Sequence, residues 1–155
     1  MAPCSCWRTA TRRGSTRSSS RAEASRIAGI ASIAAGEPQT FCAPSRPVSI
    51  LDLNGTADTV IPYDGVAGSF FGAIEATQRW AGFASCDITM ARSPASLDLD
   101  GAVPGAETMP TDYVVGCTGA RVSLFTMTRS GHIPTFSDTS AQVIVDWLLA
   151  QSSPP

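Results

Sequence analysis

Two side chains have the type and spacing for acid–base chemistry: Asp58 and His132, 74 positions apart. Asp58 follows the apolar run Val48 to Leu53, which reads as a β-strand stopped by the turn-forming pair Asn54-Gly55. His132, the sole histidine, follows Arg121 to Met127, whose alternation reads as another strand. In open α/β sheets, catalytic groups gather just past the carboxyl ends of strands. Two parallel strands joined through a crossover helix would release both loops on one edge of the sheet. A carboxylate beside an imidazole there can fix the ring's tautomer while the ring takes a proton from a hydroxyl. Plainer roles are open to both residues. Asp58 can cap its own turn by accepting backbone N–H groups, which spacing alone favours. His132 can equally be a surface or satisfied core residue.

The elements that must hold these loops are legible in order. Ile27 to Ala34 is a near-continuous small-apolar run, the pattern of a parallel strand covered on both faces. Pro38, Pro44 and Pro47 mark the connection to the next strand. Ser69 to Phe83 reads as a helix with Phe70, Ile74, Thr77 and Ala81 on one face and Trp80 packing beside them. Residues 87 to 118 are punctuated by Pro and Gly and carry Asp87, Asp98, Asp100, Glu107 and Asp112. These carboxylates have neither paired-acid nor EF-hand spacing, so the stretch reads as a solvated excursion. In Arg121 to Met127, Val122 and Leu124 should face inward. Ser137 or Asp138 can cap a last helix to Ala150, with Ala141, Ile144, Trp147 and Leu148 sharing a face.

Composition narrows the classes. A chain of 155 residues that is 43% apolar suits one domain with a real core. A net charge of −2 offers no general pull toward nucleic acid or an anionic membrane. No apolar run approaches the roughly 20 residues a membrane span needs. The five cysteines lack CxxC pairing and one histidine is too few for an ordinary zinc site, so neither metal nor cofactor is expected. Residues 1 to 26 differ from the rest, with six arginines, many Ser and Thr, one acid and no apolar period. That composition suits an organellar transit segment, whereas a secretory signal would need an apolar h-region. It also suits translation in a shifted frame. Either way, residues 1 to 25 should not pack on the core.

Asn54 to Tyr63 resembles the acid loop of α/β-hydrolases in the polyhydroxybutyrate depolymerase and feruloyl esterase family. That loop reads Gly-Thr-x-Asp-x-x-x-Pro-Tyr after a late sheet strand, matching Gly55, Thr56, Asp58, Pro62 and Tyr63. Gly131-His132 is similar to the family's catalytic histidine loop, with Ser130 where relatives usually carry Gly and Ile133 where Trp is frequent. The resemblance covers residues 26 to 150 and implies the C-terminal part of an α/β-hydrolase fold: a mainly parallel sheet lacking its first strands and nucleophile elbow. It implies Asp58 as the orienting acid and His132 as the general base of a Ser-His-Asp triad acting on carboxylic esters, polyester or carbohydrate-linked. It also implies a Cys86–Cys117 disulfide and the exported habit of the family. No Gly-x-Ser-x-Gly elbow occurs in the chain, so it is expected to be inactive alone. Codons for the first eight residues, read two bases later, give a Gly-small-Met/Leu pattern similar to the helix after the family's nucleophile. That is the motive for the shifted-frame reading. Without an upstream strand, the edge of Ile27 to Ala34 would be open to self-association. A non-catalytic binding protein derived from the same fold is the alternative function.

Overall fold

The strand Ser49–Gly55 (β2) is buried at every one of its seven positions, so it must have neighbours on both edges and cover on both faces. In the computed structural model, which describes residues 27–39 and 44–151, it has both. Gly29–Ile33 (β1) pairs with it in parallel on one side, and Val122–Met127 (β6) in parallel on the other. Thr108–Tyr113 (β5) closes the far edge antiparallel to β6, giving the order β1-β2-β6-β5. The protein is thus mixed α/β, with a mainly parallel four-stranded sheet and two described helices. Among the described residues, β1 pairs with no strand other than β2. The expectation for residues 1 to 25 falls outside the described residues.

Side chains alternate across a strand, so β2 feeds two cores. Ile50 packs with Val48, Val122, Tyr113, Ala81, Ala84 and Cys86 on one face. Leu51 and Leu53 pack with Leu99, Phe125, Met127 and Trp147 on the other. Helix α1 (Ala73–Phe83) covers the first face and helix α2 (Ser140–Leu149) the second. Among described residues no helix is long and apolar enough to cross a membrane.

Several boundaries depart from the sequence reading. Asn54-Gly55 does not stop the strand; both stay in β2, and the turn begins at Thr56. The helix expected from Ser69 starts four residues later. Phe70–Phe71 (β4) instead pairs antiparallel with Gly65–Val66 (β3), and extended Gly72 ends that ribbon. With Phe70 removed, small residues set the buried face of α1: Ala73, Ala76, Thr77 and Ala81, while Ile74 is exposed. At its end Ser85 takes a left-handed φ of 58°. Ser85 N–H donates to Gly82 O and Cys86 N–H to Ala81 O, the bonding of a Schellman cap. The last helix begins at Ser140 with Thr139 at its N-cap. The Ser137 hydroxyl is committed to the Asp98 carbonyl instead, and Ala141 is exposed.

Residues 87 to 118 are the largest correction. They supply edge strand β5, and three of their carboxylates, Asp100, Glu107 and Asp112, are buried. Each is buried because donors meet it. Asp112 accepts from the Ser123 hydroxyl at 2.5 Å and from Arg121 Nη2 at 2.6 Å. Alternation in the excursion is masked by Pro110, which an edge strand tolerates.

Cys86 and Cys117 are joined by a disulfide, tying the end of α1 to the loop after β5. The closed segment spans a sequence separation of 31. Chain entropy assigns such a loop about 3–4 kcal/mol. The double Cys86→Ser, Cys117→Ser variant should lose that much in urea denaturation, and a loss below about 1 kcal/mol would show that the bridge is not what secures α1.

Candidate functional site

Parallel pairing sets the site. Gly55 and Met127 are register partners at the carboxyl ends of β2 and β6, so both loops leave from the same edge. The loops are then stitched together. Thr56 N–H donates to Met127 O at 3.0 Å, Ala57 N–H to Ser130 O at 3.0 Å, and Arg129 N–H to Thr56 Oγ1 at 2.9 Å. Arg129 takes a φ of 66°, a conformation a non-glycine residue holds only when its surroundings impose it.

Gly55 is where the backbones approach most closely. A Cβ there would lie 2.2 Å from the Ser130 carbonyl oxygen and 2.8 Å from that of Gly131. Both are main-chain atoms and cannot swing aside. Gly55→Ala should therefore cost about 1–3 kcal/mol and drive the histidine loop off the acid loop. Urea denaturation with amide shifts of residues 128 to 135 would check it; unchanged shifts would mean the approach is not needed.

Asp58 makes both sets of contacts that the sequence left open, with its own turn and with the imidazole. Its Oδ1 accepts N–H bonds from Val60 and Ile61, each 2.8 Å, and so caps the turn. Its Oδ2 lies 2.9 Å from His132 Nδ1. Burial pushes this carboxyl's pKa up. The hydrogen bond from His132, the two backbone N–H groups and the imidazole's charge more than offset that, and hold it below the usual carboxylate range. An ionised carboxylate only accepts, so Nδ1 carries the proton and Nε2 of the neutral ring keeps its lone pair. The Asp58 side chain is 1% exposed and that of His132 34%. The acid is shielded from water while the ring is partly open to it. Among the described residues Nε2 has no hydrogen-bond partner.

Other groups around these loops were missed from the sequence. Asp52 lies inside the apolar run Val48 to Leu53, where the sequence reading gave it no role, on the α1 face of β2. Burial pushes its pKa up to about 7; Asn54 and Ser32 offset part of the rise and Glu37 adds to it. Its Oδ1 and the Asn54 amide nitrogen have no hydrogen-bond partner among the described residues. The signal available was a charged residue inside a run otherwise buried. Tyr63, part of the acid loop, bonds Thr126 Oγ1 through its hydroxyl at 2.7 Å. Ser130, in the histidine loop, donates its hydroxyl to Asp100 and so is not a partner of His132. Among the described residues no three His, Cys, Asp or Glu side chains converge as a metal site.

Fold and site together define an α/β protein with a carboxylate–imidazole pair at the carboxyl edge of a mainly parallel sheet. No protein-family model matches the chain, and no curated protein matches it in sequence.

Proposed function

We propose that this chain carries the acid and the base of a Ser-His-Asp carboxylic-ester hydrolase with the α/β-hydrolase fold, of the polyhydroxybutyrate depolymerase or feruloyl esterase type. The observation that carries the reading is the Asp58–His132 contact of 2.9 Å, with the other carboxylate oxygen held by two backbone N–H groups. His132 Nε2 takes the proton of a serine hydroxyl as that oxygen attacks the ester carbonyl, then returns it to the departing alcohol. In the second half, the same nitrogen takes a proton from water as water attacks the acyl-enzyme, and the serine leaves with it. Asp58 stays ionised throughout and stabilises the imidazolium. The Cys86–Cys117 bridge suits an oxidising compartment and thus an exported enzyme.

The 155 residues contain no Gly-x-Ser-x-Gly, so on this reading the serine comes from a separate polypeptide segment, whose strand would add to the edge of β1 that is unpaired among the described residues. The test joins the chain to the polypeptide encoded upstream of its first codon, in each reading frame, and assays a short activated ester. One frame should bring a nucleophile elbow and turnover, and His132→Ala should abolish that turnover. A nucleophile-bearing product whose activity ignores His132, or no frame with an elbow, would favour the binding-protein alternative.

A further inference from the structure

The histidine loop is held from beneath by two buried acids that the dyad itself does not include. Asp100 is 2% exposed and lies in the excursion before β5. Its Oδ2 accepts the hydroxyl of Ser130, which is 1% exposed and precedes His132 by two residues. Its Oδ1 accepts the N–H of Thr135 at 3.1 Å, three residues after His132, and the N–H of Ala102 at 3.0 Å. The main chain repeats the grip: Gly101 N–H donates to Thr135 O at 2.7 Å, and Ser137 N–H to Leu99 O at 2.8 Å. One carboxylate therefore spans both sides of the loop that carries the imidazole.

Glu107 fixes Asp100 in turn. Its Oε1 accepts the N–H groups of Leu99 and Asp100, at 3.2 and 3.0 Å, and its own carbonyl accepts Thr128 N–H at 3.1 Å. A buried carboxylate with three donors is strongly directional, and in a water-poor interior each charge-assisted bond resists being drawn out of line. A loop of this length, free at both sides, would let the ring swing away from Asp58. We infer that Asp100 is a positioning residue for His132, clamping Ser130 and Thr135 so that Nδ1 stays on Asp58. This rests on the hydrolase reading for its purpose, but not for its test.

The chain has a single histidine, so ¹⁵N-histidine labelling yields the spectrum of His132 alone. The unaltered chain should show one tautomer, with a slowly exchanging Nδ1–H. In Asp100→Asn and in Ser130→Ala that proton signal should broaden beyond detection and the two ring nitrogens should average, while the amides of β2 and β6 stay dispersed. Asp112→Asn is the control. It removes another buried acid of the same excursion, one bonded to Ser123 and Arg121, and should leave the Nδ1–H signal intact. Should Asp100→Asn not fold, Ser130→Ala decides alone. A wild-type Nδ1–H signal in Ser130→Ala and in any folded Asp100→Asn, or its equal loss in the control, would overturn the inference. Its absence from the unaltered chain would overturn the dyad as well. An inactive ester assay with the signal intact would count against the hydrolase reading only.

Discussion

Under the proposed ester-hydrolase function, Asp58→Asn is expected to lower kcat about 10⁴-fold once the nucleophile is supplied. An amide can turn its NH2 toward Nδ1 and thereby stabilise the tautomer with the proton on Nε2, the atom that must accept one. The carboxylate is 1% exposed and cannot reach a substrate, so KM should hardly move and kcat/KM should fall with kcat. The amide oxygen can still accept the N–H groups of Val60 and Ile61, so the fold should survive. Steady-state kinetics with circular dichroism on the same samples checks this; a loss smaller than about tenfold would remove Asp58 from the mechanism. The variant should also change the acid limb of stability. Asp58 has a folded pKa below its unfolded one, so its contribution is present above the unfolded value and is lost as pH falls through the folded value.

Asp52 should act in the opposite direction. Its pKa is raised from 3.8 to about 7, so between those values the folded chain binds the proton that the unfolded chain releases. Stability must then fall as pH rises through that window. The shift corresponds to about 4 kcal/mol at full ionisation. The groups facing it determine whether anything relieves the charge. Ser32 and Asn54 favour the carboxylate weakly, Glu37 opposes it, and the Tyr63 hydroxyl is bonded to Thr126. Arg79 is already paired with Glu37 at 3.5 Å. Glu37 itself is raised, by burial first and with Arg79 pulling down, and adds to the same slope. Urea denaturation should find the protein less stable at pH 8 than at pH 5, and Asp52→Asn should be more stable than wild type at pH 8 and keep only the smaller slope that Glu37 contributes. Equal stability at the two pH values in the unaltered chain would show that water or a counter-ion reaches the carboxyl.

What could be read from the chain alone was set by local signals. Apolar runs and alternation are properties of the sequence; the runs located β1 and β2, and alternation located β6. The breaks after them located the loops of Asp58 and His132. Helix periodicity found α1 and α2 but not where they begin; for α1 this is because Phe70–Phe71 satisfies its backbone by pairing with Gly65–Val66, a partner that no helical pattern reveals. The fate of residues 87 to 118 was beyond reach for a related reason. An acid reads as solvated until its donors are known, and Asp100 and Asp112 take theirs in part from Ser130, Thr135, Ser123 and Arg121, all outside that stretch. The sequence by itself determined that an acid and an imidazole each follow a strand. Only the tertiary structure decided that they meet, because the parallel register of β2 with β6, the bare Cα of Gly55 against Ser130 and the clamp of Asp100 are contacts between residues far apart in the chain, and only folding brings them together.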